Sequence, residues 1–541
     1  MAYTYSPSDI LRNFRNFSLH GLQAYALLRD ALTETKRVGI GTIVIRQPEQ
    51  LVAVEPAGKT LSLTTMRFPH EIRDSEDLDV PDLRRARLGR SSAIPYVPPA
   101  ALKEAPTMLT AEENAQLTRV GPGTLIGDLM RQYWIPVVES SEVVAGGRPK
   151  RVRILGEDLV VFRSPAGGAG LLSEFCAHRR ASLYFARNEA RGLRCVYHGW
   201  QFEAGGRCVD MPNERPESTF QDKVALTAYP CAERGGVVWT YMGSASSPPG
   251  LPDLEWALVP ESQRFVSKFW QGCNYLQALE GGVDPAHISF LHGILDTDDE
   301  RGRRVLDSAA AGFGFASQLE RAPHVEVAET PTGLLIGARR EAPAGQYYWR
   351  ITQYLLPFHT MPPSEVASDP LLHAHVWIPM DDTQLVNWCI SWHPNRPITP
   401  EERAAFRAGS SIHVMDYAPA TSEAYGDIRP LAHRANDYLA DWEAQHTRKF
   451  FGVPGVGAQD KAITESQGVF DRTLERLGRA DVGIIRVRRR LLDAAVALRT
   501  HGVPPPGLDP ASYRVRPTSV LLPKDVPWTD GAKDRLQWSR R

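Results

Sequence analysis

Apolar positions change period several times along the chain, and each change marks a different kind of element. Residues 23–35 (QAYALLRDALTET) set Ala24, Leu27, Leu28, Ala31 and Leu32 at helical spacing, which predicts an amphipathic helix. Three short β-rich runs follow, Gly39 to Arg46, Leu51 to Glu55 and Thr60 to Thr65, separated by Pro48 and by Pro56-Ala57-Gly58-Lys59. Residues 84–107 then carry arginine, serine and proline without apolar periodicity and read as a linker. Beyond Met108 a helical pattern runs to Trp134, and from Arg151 to Tyr241 short strands with turn signals predict a small all-β unit. Ser247 to Pro252 (SPPGLP) breaks it. From there to about residue 500, strand-like runs such as 334–340, 347–356 and 385–394 mix with helical segments, of which Gly483 to Leu498 is the most periodic. That mixture predicts an α+β domain. The tail from Pro504 is proline-rich and is expected to be irregular.

Composition narrows the function classes. The chain has 541 residues, 43% hydrophobic and 23% charged, enough for several packed cores and too apolar for wholesale disorder. A formal net charge of −1 gives no long-range field toward nucleic acid or an anionic membrane. The local basic run Arg486 to Arg490 fits a solvated helix face, or a dock for an acidic electron donor, better than a nucleic-acid site. No apolar run approaches the ~20 residues that span a bilayer, and the N-terminus lacks the apolar core of a secretory signal. Six scattered cysteines are too few for a disulfide framework, so a reducing cytoplasm is expected and the cysteines read as buried thiols or ligands.

One spacing stands out. Cys176-Ala177-His178 is followed, after sixteen residues, by Cys195-Val196-Tyr197-His198, both pairs at loops between predicted strands. Each loop offers one thiolate and one imidazole, donors suited to iron–sulfur or zinc chemistry. Structural zinc sites usually pair cysteines as C-x₂₋₄-C, and a Cys-x-His opening does not follow that pattern. Two cysteines on one iron and two histidines on the other make a [2Fe–2S] cluster of raised potential. Cys208, Cys231, Cys273 and Cys389 lack such spacing and read as small buried hydrophobes.

A second constellation spans Asn274 to His292 (NYLQALEGGVDPAHISFLH). On a continuous helix, Asp284, His287 and His292 fall at about 0°, −60° and +80°, within one face. Two imidazoles and a carboxylate form the facial triad of non-haem Fe(II) oxygenases, with positions open for O₂ and substrate. Asp284 before Pro285 equally fits an N-cap with proline at N1. Asp437, Asp441, Glu443, Asp460 and Glu465 are candidates for the carboxylate. Asp460 follows the glycine-rich turn GVPGVG, where a helix is expected to begin and an acid would also suit the helix dipole.

With these residues in view, residues 108 to about 500 resemble the phthalate-dioxygenase-like Rieske oxygenases, on the two Cys/His pairs, NYLQALEGGVDPAHISFLH, QDKAITESQG, LTRVGPGTLIGDLMRQYWIPV and YYWRITQYLLPFHTMPP. The resemblance implies a Rieske domain (108–255), a helix-grip, START-like catalytic domain (256–503) and the tail 504–541. It implies cluster ligands Cys176, His178, Cys195 and His198, and mononuclear iron held by His287, His292 and Asp460. It also implies that Asp284 links that iron to the Rieske domain of a neighbouring subunit in a head-to-tail ring, typically a trimer. A separate NAD(P)H-dependent reductase would supply electrons, because the chain has no Rossmann fingerprint or plant-type ferredoxin cysteine set. The implied activity is O₂-dependent dihydroxylation of a carboxylated aromatic ring, with mono-oxygenation such as O-demethylation as the alternative. Arg350 can hold a substrate carboxylate or sit in a structural salt bridge. Residues 23–81 resemble part of bacterial Ku, so a small Ku-like α/β fragment (1–83) is expected before the linker. A fragment lacks most of the ring that encircles DNA, so nucleic acid is not the expected partner, and Met108 opens the oxygenase resemblance like an independent start.

Overall fold

The computed structural model describes strands Tyr3–Thr4, Gly39–Val44, Glu49–Ala57 and Thr60–Thr65, then residues 109–539 apart from 245–246, 294, 296–319, 365–368, 370 and 469–470. The helix predicted at 23–35 and the linker at 84–107 lie outside the described residues. The N-terminal strands form an antiparallel sheet in the order Tyr3–Thr4, Thr60–Thr65, Glu49–Ala57, Gly39–Val44. The strands at 39–44, 49–57 and 60–65 coincide with the three β-rich runs. These belong to a unit, Met1–Ser92, separate from Ala93–Arg541.

In the second unit, helices Ala111–Thr118 and Leu125–Met130 start at Thr110 and Thr124, whose hydroxyls accept from backbone N–H groups of the first turn. The all-β part is then built from small antiparallel sheets. Strand Glu157–Arg163 shows how they divide the interior. Leu159 and Val161 face the main core, while Val160 and Phe162 face a smaller core shared with Cys176, Cys195 and Trp200. Side chains alternate along a strand, so one apolar run serves two cores. Each such side chain contributes roughly 1.5–3 kcal/mol on burial. The smaller core therefore supports the two cysteine loops directly.

The α+β part is an eight-stranded antiparallel sheet. Its path runs Arg264–Gln271, Leu385–Trp392, Leu372–Pro379, His359–Met361, Gln346–Leu355, Gly333–Ala342, His324–Glu329. The tail is not irregular throughout, as its prolines suggested. Strand Thr518–Pro523 pairs with the first half of Gln346–Leu355, while His359–Met361 takes the second half. The prolines stand before and at the end of that strand, where a ladder tolerates them. Trp528, behind it, stacks on Trp349 at 5.4 Å.

Helices Tyr275–Val283, Val456–Ser466 and Val482–His501 complete the cavity whose other wall is the sheet. The helix expected at Gly483 to Leu498 is thus present and slightly longer. Tyr275–Val283 lies close on the sheet because it carries glycine at the contact: a Cβ on Gly282 would come within 2.7 Å of Thr360 Oγ1 and 3.0 Å of Trp377. Gly282→Val should therefore cost about 1–3 kcal/mol through overpacking, visible as a lower unfolding midpoint. An unchanged midpoint would show that the helix can shift freely.

Candidate metal centres

Two loops carry the cysteine pairs, and they are two copies of one turn. Cys176 N–H donates to Ala181 O (2.9 Å) and Arg180 N–H returns to Cys176 O (2.9 Å). In the second loop Cys195 N–H donates to Trp200 O (2.8 Å) and Gly199 N–H to Cys195 O (3.0 Å). Arg180 and Gly199, the equivalent positions, both have left-handed backbone at φ 61° and 79°. At Gly199 a side chain is excluded twice over, since a Cβ would also meet Pro212 at 2.6 Å. The turns bring the His178 and His198 rings to 4.4 Å between centroids, and Trp200 stacks on His178 at 4.5 Å.

The donor atoms test the fit of a cluster. His178 Nδ1 and His198 Nδ1 are buried and, among the described residues, have no hydrogen-bond partner. Cys176 and Cys195 are buried free thiols, and burial, with the Cys195 thiol alongside, pushes the Cys176 thiol above its ordinary range. Leaving a buried polar atom unsatisfied costs about 1–3 kcal/mol. Two adjacent buried thiols beside two imidazole nitrogens that have no hydrogen-bond partner among the described residues fit a sulfur-bridged iron pair.

The second site is assembled from two elements. His287 and His292 follow helix Tyr275–Val283, and Asp460 comes from helix Val456–Ser466. Asp460 Oδ1 lies 3.2 Å from His292 Nε2 and 3.7 Å from His287 Nε2, and one donor atom from each residue falls within 4.8 Å of the others. Burial opposes ionisation of Asp460, but the two imidazoles outweigh it and hold its carboxyl below the ordinary range. Burial alone would lower the His287 imidazole, yet Asp284 and Asp460 hold it above its usual value. The triad brings three convergent donor groups together, the donor set of a 2-His-1-carboxylate site.

Gln459 fixes one of these ligands. Its Nε2 donates to Val453 O at 2.9 Å, which turns Oε1 toward His292 Nδ1 at 2.7 Å. His292 Nδ1 therefore carries a proton, which leaves Nε2, on the Asp460 side, as the nitrogen that would bind a metal once its own proton is released.

The helix geometry expected for this segment is corrected. Helix Tyr275–Val283 stops before Asp284, which is extended (φ −79°, ψ 117°), and His287–Ser289 is a separate 3-10 turn. Pro285 disfavours the α conformation in the residue before it, so no continuous helical face links Asp284 to His292. Asp284 instead accepts from Ala286 N–H at 2.7 Å and stands 3.5 Å from His287 Nδ1, beyond hydrogen-bond reach. It braces His287 from the side opposite Asp460. Asp460 is not at a helix start either; the helix begins at Val456. Of the other acids, Glu465 pairs with Lys461 (2.9 Å) and accepts from Gly272 N–H, and Asp441 caps helix Trp442–Thr447.

A cavity of about 400 Å³ opens on the triad, and its lining includes Ile288, Leu291, Trp377, Ile412 and Ile463. Arg350 also lines it, held by Pro363 O at 2.7 Å, with the Tyr348 hydroxyl 3.5 Å away. Among the described residues Arg350 has no carboxylate partner, which removes the salt-bridge reading for these. Sequence reasoning missed Gln459, His373, His375 and Asn387. The alternation His373-Ala374-His375 was the signal for two of them, since it puts both imidazoles on one face of a strand.

Comparison with known proteins follows the same division. Residues 133–230 match the Rieske [2Fe-2S] domain family, residues 240–537 the "LigXa C-terminal domain like" family, and residues 16–88 the Ku70/Ku80 beta-barrel domain. The chain is 39% identical to the 3-chlorobenzoate-3,4-dioxygenase oxygenase subunit of Comamonas testosteroni, over 80% of this chain and 99% of that one. It is 34% identical to the phthalate 4,5-dioxygenase oxygenase subunit of Pseudomonas putida, over 78% and 94%. A shorter stretch is 43% identical to the 5,5'-dehydrodivanillate O-demethylase oxygenase subunit of Sphingobium sp., over 34% and 44%.

Replacing Gln459 by leucine should leave the fold intact and weaken iron retention about 10–100-fold, read as iron content after dialysis against a graded chelator. Retention equal to wild type would show that His292 needs no such partner.

Proposed function

The chain belongs to the Rieske oxygenases, whose oxygenase subunits carry a [2Fe–2S] cluster and a mononuclear non-haem iron, and from that footing we propose that it oxidises a carboxylated aromatic ring, most simply to a cis-dihydrodiol. The observation that carries the substrate class is Arg350, a guanidinium with no carboxylate partner among the described residues, in the cavity wall beside the triad. A carboxylate there would form a charge-assisted, bidentate pair, and the apolar lining would hold the ring and exclude water.

Cys176, His178, Cys195 and His198 would hold the cluster, and His287, His292 and Asp460 the mononuclear iron. Together these groups, when bound, supply stored electrons and O₂ activation beside the substrate. Dihydroxylation consumes the ring, O₂, two electrons and two protons. The electrons come from a separate donor, which we take to be an NAD(P)H-dependent reductase. Asp284, beside His287 and partly exposed, marks where a second subunit's cluster domain would approach in a head-to-tail ring. Exposed apolar side chains at both ends support that assembly: Val196 (59%) and Tyr197 (54%) on the cluster loop, and the Phe290–Phe450 pair near the triad.

A second reading, O-demethylation, draws support from the 43% identity to the dehydrodivanillate enzyme's subunit. It consumes the same O₂ and electrons but releases water and formaldehyde. Reducing the protein, exposing it once to O₂ with a panel of benzoates, phthalates and methoxybenzoates, and identifying the products separates the two. Diol products support the first reading and formaldehyde the second; no oxidised product from any acid would contradict both.

Arg350→Gln should weaken affinity for aromatic acids about 10–100-fold, with little effect on the corresponding uncharged amides. An equal loss for both would assign Arg350 a merely structural role.

A further inference from the structure

The sheet wall of the same cavity presents two more imidazoles. His373 and His375 lie on strand Leu372–Pro379 and both line the cavity. His375 is held on three sides. Its ring stacks on Trp377 at 4.6 Å and 19°, its Nδ1 is 3.0 Å from Asn387 Oδ1, and Cys389 Sγ lies 3.6 Å from the same nitrogen. A carbonyl oxygen can only accept, so Nδ1 carries the proton and Nε2 keeps its lone pair. Among the described residues no protein group is hydrogen-bonded to that Nε2. Burial lowers the His375 imidazole below its usual value and brings His373 down to about 4, so both rings are neutral at pH 7.

His373 is less restricted. Its Nδ1 meets Ser391 Oγ at 2.8 Å, and the same hydroxyl meets His413 Nε2 at 2.8 Å, while His413 Nδ1 meets Ser267 Oγ at 2.7 Å. Hydroxyls rotate, so this chain lets His373 present either a donor or an acceptor. His375 has no such freedom. A fixed, buried acceptor in the cavity wall rewards a substrate that brings an O–H or N–H and penalises one that leaves it unpaired.

Building on the aromatic-acid reading above, we propose that His375, oriented by Asn387, is a specificity-determining residue that accepts a hydrogen bond from a ring hydroxyl, which makes hydroxylated aromatic acids the preferred substrates. The sheet order supports the pairing with Arg350. Both side chains emerge on one face of the sheet: Tyr354, four residues along the strand from Arg350, is level with Thr360, and Thr360 with His375. A two-strand offset of about 10 Å and a four-residue offset of about 13 Å put the two residues roughly 16 Å apart, a span that an arginine, one aromatic ring and a histidine can bridge. With both side chains reaching inward, the guanidinium and the imidazole can address two edges of one ring in a cavity of about 400 Å³.

The test is calorimetric titration of the full-length, iron-loaded protein without O₂, using 2-, 3- and 4-hydroxybenzoate, each against the methylbenzoate of the same substitution. In wild type at least one hydroxy isomer should bind about tenfold more tightly than its methyl counterpart. In His375→Leu and Asn387→Leu that gap should shrink below about twofold, while methylbenzoate affinity holds. The proposal is overturned if no hydroxy isomer is preferred in wild type, if the preference survives both substitutions, or if no aromatic acid binds. Should neither variant fold, the wild-type pairs alone decide. Iron and labile sulfide measured on the same samples report separately on the oxygenase reading, which stands if metal is present whatever the hydroxyl preference.

Discussion

Ligand-type side chains gathered in buried clusters govern this structure. A thiol, imidazole nitrogen or carboxylate removed from water must recover its lost hydration from something, and among the described residues His178, His198 and His287 each keep a buried Nδ1 without a hydrogen-bond partner. His178 and His198 face each other through unpartnered nitrogens, and Asp460 draws two imidazoles around one carboxylate. Each group alone would cost stability. Gathered in sets of four and three, they would make cation sites, where metal binding would offset the cost.

The fold places these sets with short local devices. In the β unit, Glu157–Arg163 turns alternate side chains to two cores, so the packing that stabilises the unit also backs the cysteine loops. In the catalytic part, glycine at 282 lets a helix sit close on the sheet, and the cavity lies where that helix, the Asp460 helix and the sheet converge. The Asp460 helix also contributes Gln459, so one turn supplies one proposed ligand and the group that orients another, His292. The sheet wall adds two imidazoles: Asn387 fixes the nitrogens of His375, while Ser391 leaves His373 able to present either a donor or an acceptor.

Local chemistry was legible in the sequence, and long-range geometry was not. The Cys176–His178 and Cys195–His198 pairs announce themselves because each is complete within one loop. Asp460 could be singled out among several acids only through family resemblance, because its partners lie far back in the chain and no local pattern records that approach. The expected helical face through Asp284, His287 and His292 failed at Pro285, whose restriction on the preceding residue outweighs the apolar periodicity around it. Strand Thr518–Pro523 went unseen because it is short and bordered by prolines, and it is stabilised by pairing with a distant strand. Asn387 left no trace in the sequence; its role exists only in the register between neighbouring strands.

Iron and acid-labile sulfide, quantified per chain on purified protein, test the central claim most directly. A [2Fe–2S] cluster plus one mononuclear ion requires about three irons and two labile sulfides. Iron without sulfide, or zinc in place of both, would contradict it.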